Sequence, residues 1–172
     1  MTTQNAINWP VKYLPGTGDN FVSNEVIVKD LRAASVWRYL VDTGSWESYY
    51  DNVADIAFPD GDGPVLRDGV RFRFATFGRP PLDARVVEFQ VPAEGLPGRL
   101  SWTARQGGRP QERLDVLHAW LVEDLPGDRV RVLTQESQIG EPAAALALVT
   151  PNPMLNGHQA WLDGLVRAAA GR

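Results

Sequence analysis

Leu114-Asp115-Val116-Leu117-His118-Ala119-Trp120-Leu121-Val122 and Val130-Arg131-Val132-Leu133-Thr134-Gln135-Glu136-Ser137-Gln138 read as two strands joined through the turn signal Leu125-Pro126-Gly127-Asp128. Side chains alternate faces along a strand. One face of the first run therefore carries Leu114, Val116, His118, Trp120 and Val122, leaving charge to Asp115 and, just beyond, Glu123. One face of the second carries Val130, Val132, Thr134, Glu136 and Gln138. A carboxylate thus shares a face with valines. A solid apolar core would not hold it unpaired, because burying an ionised group without partners is very costly. An interior with a wet or ligand-filled end would. A connecting loop of odd length sets His118 across from Glu136 and Trp120 across from Thr134, whereas a two-residue loop offsets both pairs.

Beyond this hairpin Gly140 ends the sheet and helical signals take over. Pro142 suits a first helical position, Ala143 to Val149 favours helix, and Pro151 breaks the run. Asn152 then caps a longer helix to about Ala170, with Pro153 at its first position. Its apolar stripe is Leu155, His158, Leu162, Leu165 and Ala169, flanked by Met154 and Trp161, so His158 points toward whatever the helix covers.

Upstream, Arg99 to Arg105 alternates with Leu100, Trp102 and Ala104 on one face. Asp83 to Val91 is ambiguous between Ala84, Val86, Glu88, Gln90 and Arg85, Val87, Phe89, Val91. Arg71 to Phe77 sends Phe72, Phe74 and Thr76 inward, and Val53 to Phe58 precedes it across the turn-rich Pro59 to Pro64. Before these come a strand from Phe21 to Val28, a short helix from Ala34 to Asp42 stopped by Gly44, and a second short helix from Trp46 to Tyr50 with Ser45 as N-cap. Residues 1–20, rich in Pro, Gly and Asn with Trp9 and Tyr13 as apolar pegs, read as an extended arm on a single domain covering 21–172.

With 172 residues, the chain suits one domain with one core. It has no cysteine, which removes disulfides, thiolate nucleophiles and thiolate metal ligands. Two histidines leave little for a histidine-rich metal centre, so neither metal nor cofactor is expected. A net charge of -4 gives no footprint for nucleic acid. The longest apolar run falls far short of a membrane span, and no leader signal is visible, so a soluble cytoplasmic protein without membrane insertion is expected. Both a monomer and a homodimer fit the sequence. Asp60-Gly61-Asp62-Gly63 lacks the following ligands of a calcium loop and reads as a turn.

The order of strand, two short helices, six antiparallel strands and a long C-terminal helix resembles the helix-grip fold of the SRPBCC superfamily, which takes in START-type lipid carriers, birch-pollen-allergen-like proteins and polyketide cyclase/dehydrase proteins. The likeness is carried by Val36-Trp37-Arg38-Tyr39-Leu40-Val41-Asp42 with Trp46, Gly69-Val70-Arg71-Phe72-Arg73-Phe74, and Ala84-Arg85-Val86-Val87-Glu88-Phe89. It continues through Leu100-Ser101-Trp102, His118-Ala119-Trp120 and Thr134-Gln135-Glu136-Ser137-Gln138-Ile139-Gly140. The resemblance implies an α+β fold in which a curved antiparallel sheet wraps the final helix and leaves a deep pocket. Pockets of this kind usually enclose ~300 to 1,000 Å³.

Alternation then assigns wall residues to that pocket: Phe72, Phe74, Trp102, Trp120, Met154 and Trp161, with Thr134, Gln138, Glu88, His158, His118 and Glu136 as polar points. Three functions fit. The first is a carrier for a small hydrophobic molecule, aromatic or polyketide-like. The second is a cyclase or dehydratase in which Glu136 orients His118 and raises its affinity for a proton, making it a general acid/base. The third is an interaction module with a vestigial pocket, which has no need of a polar end. Tyr49, Tyr50 and Trp46 serve either as core or as a gate at the mouth.

Overall fold

Three residues, Pro126 to Asp128, connect the two strands read above, with Gly127 and Asp128 in the left-handed region (φ 81° and 52°). The loop is odd. His118 accordingly pairs with Glu136 and Trp120 with Thr134.

The structure, a computed structural model, describes residues 3–172. Strand β1 (Asn20–Lys29) is followed by helices α1 (Ala33–Val41) and α2 (Trp46–Tyr49), which are linked by a 3-10 turn. Then come β2 (Val53–Ala57), β3 (Arg71–Thr76), β4 (Leu82–Gln90), β5 (Gly98–Gln106), β6 (Leu114–Leu125) and β7 (Arg129–Ile139), and finally α3 (Glu141–Ala147) and α4 (Pro153–Ala169). All neighbouring strands are antiparallel, in the order β1-β7-β6-β5-β4-β3-β2. The curved sheet grips α4, which packs on β1, α1 and α2, so the α+β helix-grip architecture is present.

Local chemistry explains the ends of α4. Pro153 stands in its first turn and Asn152 caps it, the Asn152 side chain accepting from the Met154 N–H at 3.0 Å. Ser45 precedes α2 without capping it. Its hydroxyl donates instead to the Asp42 and Tyr39 carbonyls, at 2.7 and 3.1 Å.

Two expectations about faces change. A β-bulge between Val86 and Glu88 shifts the register of β4 on β5, so that Val86 pairs with Trp102 but Glu88 with Ser101 and Phe89 with Leu100. The alternation flips there and Glu88 emerges on the outer face, accepting from Asn8 at 2.6 Å and from Ser101 at 3.3 Å. On α4 the buried stripe is Met154, Gly157, His158, Trp161, Leu162, Gly164 and Leu165, while Leu155 is 38% exposed. Met154 and Trp161 lie inside the stripe rather than beside it. The cause is Gly164: a Cβ there would stand 2.0 Å from the Tyr49 carbonyl oxygen, so the helix approaches α2 on its glycine face and turns Trp161 inward.

Trp161 then joins one aromatic cluster. Its ring stacks on Tyr50 at 4.7 Å and meets Trp46 edge-on at 4.9 Å. Such pairs add about 0.5–1.5 kcal/mol each beyond area burial.

Residues 3–19 run along the outer face of the sheet. Arg99 and Arg131 donate to the Ala6 and Asn5 carbonyls, both at 2.8 Å, and the Asn5 amide donates to Glu123 at 2.6 Å. Lys12 and Tyr13 both bind Asp115. The outer-face residues Leu117, Ala119 and Leu121 are buried, as are Glu123 and Arg131, which pair at 2.7 Å.

Candidate functional site

Between the inner face of the sheet and α4 lies a cavity of about 230 Å³. Its apolar wall includes Phe74, Leu82, Trp102, Ala104, Val116 and Trp161; Phe77, Arg79 and Pro80 of the β3–β4 connection also line it. Phe77 has φ 57°, a conformation uncommon for an aromatic residue, and its ring rests against Gly157 of α4. Strain of this kind gathers at ligand sites.

The polar end is built from three elements. His118 comes from β6, Glu136 from its cross-strand neighbour β7, and His158 from the buried stripe of α4. Their exposures are 2%, 5% and 2%. Glu136 Oε2 stands 3.2 Å from His118 Nδ1 and 3.2 Å from His158 Nε2. The two imidazoles lie nearly parallel, with centroids 4.4 Å apart and planes at 13°.

The surroundings hold this cluster in place. Thr134 Oγ1 is 2.8 Å from His118 Nε2 and donates to the Ala119 carbonyl at 3.3 Å. The Gln138 amide donates to Glu136 Oε1 at 2.5 Å, and Gln138 Oε1 accepts from Asn20 at 2.8 Å. Asn20 Oδ1 in turn accepts from Asn152, also at 2.8 Å. A chain of side-chain amides therefore runs from the carboxylate to the residue that caps α4. It fixes the sheet half of the site against the helix half.

Electrostatics correct one expectation. Burial, and after it the neighbouring His158, push the His118 imidazole well below its usual pKa, so the carboxylate does not raise its proton affinity as the sequence suggested. The ring is neutral at pH 7. Tyr50, on the cavity wall, is pushed up to about 12, chiefly by burial and further by Glu136, against the lowering effect of Asn52. It offers a neutral phenol.

Of the residues named from alternation, Phe74, Trp102, Gln138, Met154, Trp161, His118, Glu136 and His158 line the cavity. Phe72, Trp120, Thr134 and Glu88 do not. Phe72 packs beneath Trp46 and Phe58, Trp120 sits behind His118 and Trp161, Thr134 supports His118 from behind, and Glu88 is on the far face. Trp46 is core, and Tyr50, just after α2, reaches the wall while Tyr49 does not. Arg79, Pro80, Leu146 and Pro153 carried no signal, because loops and helix ends show no alternation that would aim them. Ala104 and Val116 line the cavity from faces that alternation already turns inward.

The chain is 53% identical to the hypothetical protein jhp0584 of Helicobacter pylori, covering 98% of this chain and 99% of that one, with a TM-score of 0.93. The fold is also that of the di-domain ARO/CYC BexL of the BE-7585A biosynthetic pathway, at 15% identity and a TM-score of 0.59, covering 85% of this chain and 45% of BexL. A norcoclaurine synthase mutant of Thalictrum, solved with a transition-state analogue, matches at 11% identity and a TM-score of 0.61, covering 88% of this chain and 94% of that one. No protein-family model and no curated protein matches the chain. Near-complete coverage at that level of identity means that the chain belongs to the family of the Helicobacter pylori protein, and the more distant matches show that it shares the helix-grip fold.

Proposed function

We propose that this protein binds one compact, largely apolar molecule in the cavity between the sheet and α4, its rings held by Phe74, Trp102 and Trp161 and its polar end by the Glu136 cluster. The observation that carries the reading is a hollow of about 230 Å³ that ends in a buried carboxylate. A cavity of ~150 Å³ holds benzene, so by proportion this one holds about nine or ten heavy atoms, a substituted single ring or a small fused pair.

Native mass spectrometry of the purified protein, followed by calorimetric titration with one-ring and two-ring aromatics, tests the reading. A retained molecule or saturable binding is expected. Ala104→Leu, which adds bulk to the cavity wall without adding a polar atom, should abolish binding and leave the protein folded. An empty wild-type protein indifferent to the whole panel would reject it.

One observation favours a second reading, a cyclase or dehydratase of the acid–base type: His118 and Glu136 lie 3.2 Å apart on the cavity wall. A neutral imidazole enters such chemistry as a base. Unchanged turnover of any substrate found, in both His118→Ala and Glu136→Gln, ends it.

A further inference from the structure

Both histidines of the chain meet at one carboxylate oxygen on the cavity wall. Three donor atoms, one each from His118, Glu136 and His158, lie within 4.8 Å of one another. Ligands about 2.0–2.2 Å from a zinc ion stand roughly 3.3–3.6 Å apart at tetrahedral angles. The two imidazole-to-carboxylate separations, 3.2 Å each, are within a few tenths of an ångström of that spacing.

Metal-ligating histidines generally give their far N–H to a fixed acceptor, and ligating carboxylates are themselves hydrogen-bonded. His118 and Glu136 have such partners, and His158 does not. While the Thr134 hydroxyl donates to the Ala119 carbonyl it accepts from His118 Nε2, which turns the lone pair of Nδ1 toward Glu136. Gln138 occupies Glu136 Oε1 and leaves Oε2 to the cluster. His158 Nδ1 has no protein partner among the described residues, so its ring is tied only through Nε2, at Glu136 Oε2. An ion shared with the other two donors requires that ring to turn about Cβ–Cγ out of its parallel stack on His118.

We infer that His118 Nδ1, Glu136 Oε2 and His158 Nε2 form a three-ligand seat for one divalent transition-metal ion, with its open side toward the cavity. Two imidazoles and a carboxylate, without thiolate or a cage of oxygens, suit zinc, iron, cobalt or nickel rather than calcium or magnesium. Three protein ligands leave a coordination position for a small molecule. That last step rests on the proposed ligand cavity; the ion's binding does not. Composition alone argued against a metal because it counts histidines and cannot see that both of them converge.

The test uses the full chain stripped by chelator and dialysis, then titrated with Co²⁺ by visible absorption and with Zn²⁺ by calorimetry. One ion per chain is expected, with cobalt d–d bands of a nitrogen–oxygen site and a raised melting temperature. Glu136→Gln and His158→Ala should each abolish the bands. Thr134→Val, which leaves all three ligands in place, should weaken affinity by about 10–100-fold. Glu88→Gln, on the far face, should bind as the wild type does. Absence of stoichiometric binding in folded wild-type protein, or undiminished binding in Glu136→Gln, overturns the inference. Metal binding without aromatic binding would sink the cavity reading and spare this one; the converse would sink this one alone.

Discussion

Replacing Gly164 by alanine tests how α4 is seated. In an open helix this change stabilises by about 0.8–1.0 kcal/mol, because alanine restricts the unfolded backbone. Here the added Cβ would lie 2.0 Å from the carbonyl oxygen of Tyr49 and 3.0 Å from its carbon. Relief needs more than an ångström of movement, and the obstacle is backbone that cannot rotate away. Overpacking of this kind costs about 1–3 kcal/mol and occasionally more. A rigid backbone clash belongs at the upper end, and subtracting the propensity gain leaves a net loss of about 2 kcal/mol. For a domain of this size that lowers the melting temperature by roughly 4–8 °C. Thermal and urea melts of both proteins measure it. The same displacement would loosen the Tyr50–Trp161 stack and change near-ultraviolet circular dichroism. An unchanged or higher melting temperature would refute the claim that a backbone contact on α2 fixes the depth and rotation of α4.

Gly157→Ala meets a different neighbour, the Phe77 ring, with its Cβ 2.3 Å from Cζ. A side chain can swing away, so stability should change by less than about 1 kcal/mol. Displacing the ring should open the cavity mouth and speed dissociation of a bound aromatic, measured by stopped-flow tryptophan fluorescence; an unchanged off-rate would show that Phe77 does not gate. Burial raises the pKa of Asp115, but hydrogen bonds from Lys12 and Tyr13 and the charges of Lys12 and Arg105 more than offset this and hold its carboxyl below the usual range. A depressed carboxyl stabilises the fold above the unfolded value of about 3.9 and loses that contribution as pH falls through the folded value. The stability advantage of wild type over Asp115→Asn should accordingly be full at pH 7 and shrink below about pH 4; a gap that stays constant with pH would reject the linkage.

Much of this site was legible in the order of residues. Period-two alternation placed His118 and Glu136 on inward faces, while their standing opposite each other waited on the length of the loop after Leu125, which the structure sets at three residues. Asn152 and Pro153 marked the start of α4, and its periodicity turned His158 toward the sheet. These are local statements, because pleat, turn length and capping each depend on a few neighbouring residues. Other outcomes were not local. The bulge that turns Glu88 outward reflects pairing with β5, so the β4 sequence alone left both faces open. Trp120 and Phe72 point inward as read, yet neighbouring rings cover them and the hollow lies elsewhere. The rotation that brings Trp161 in and leaves Leu155 out comes from the approach of α4 to α2, a contact between segments more than a hundred residues apart. The convergence of two histidines on one carboxylate has the same origin. Alternation and helical period aim a side chain, but how far one element stands from another follows from which backbones can touch, and that distance determines whether three donors form one site.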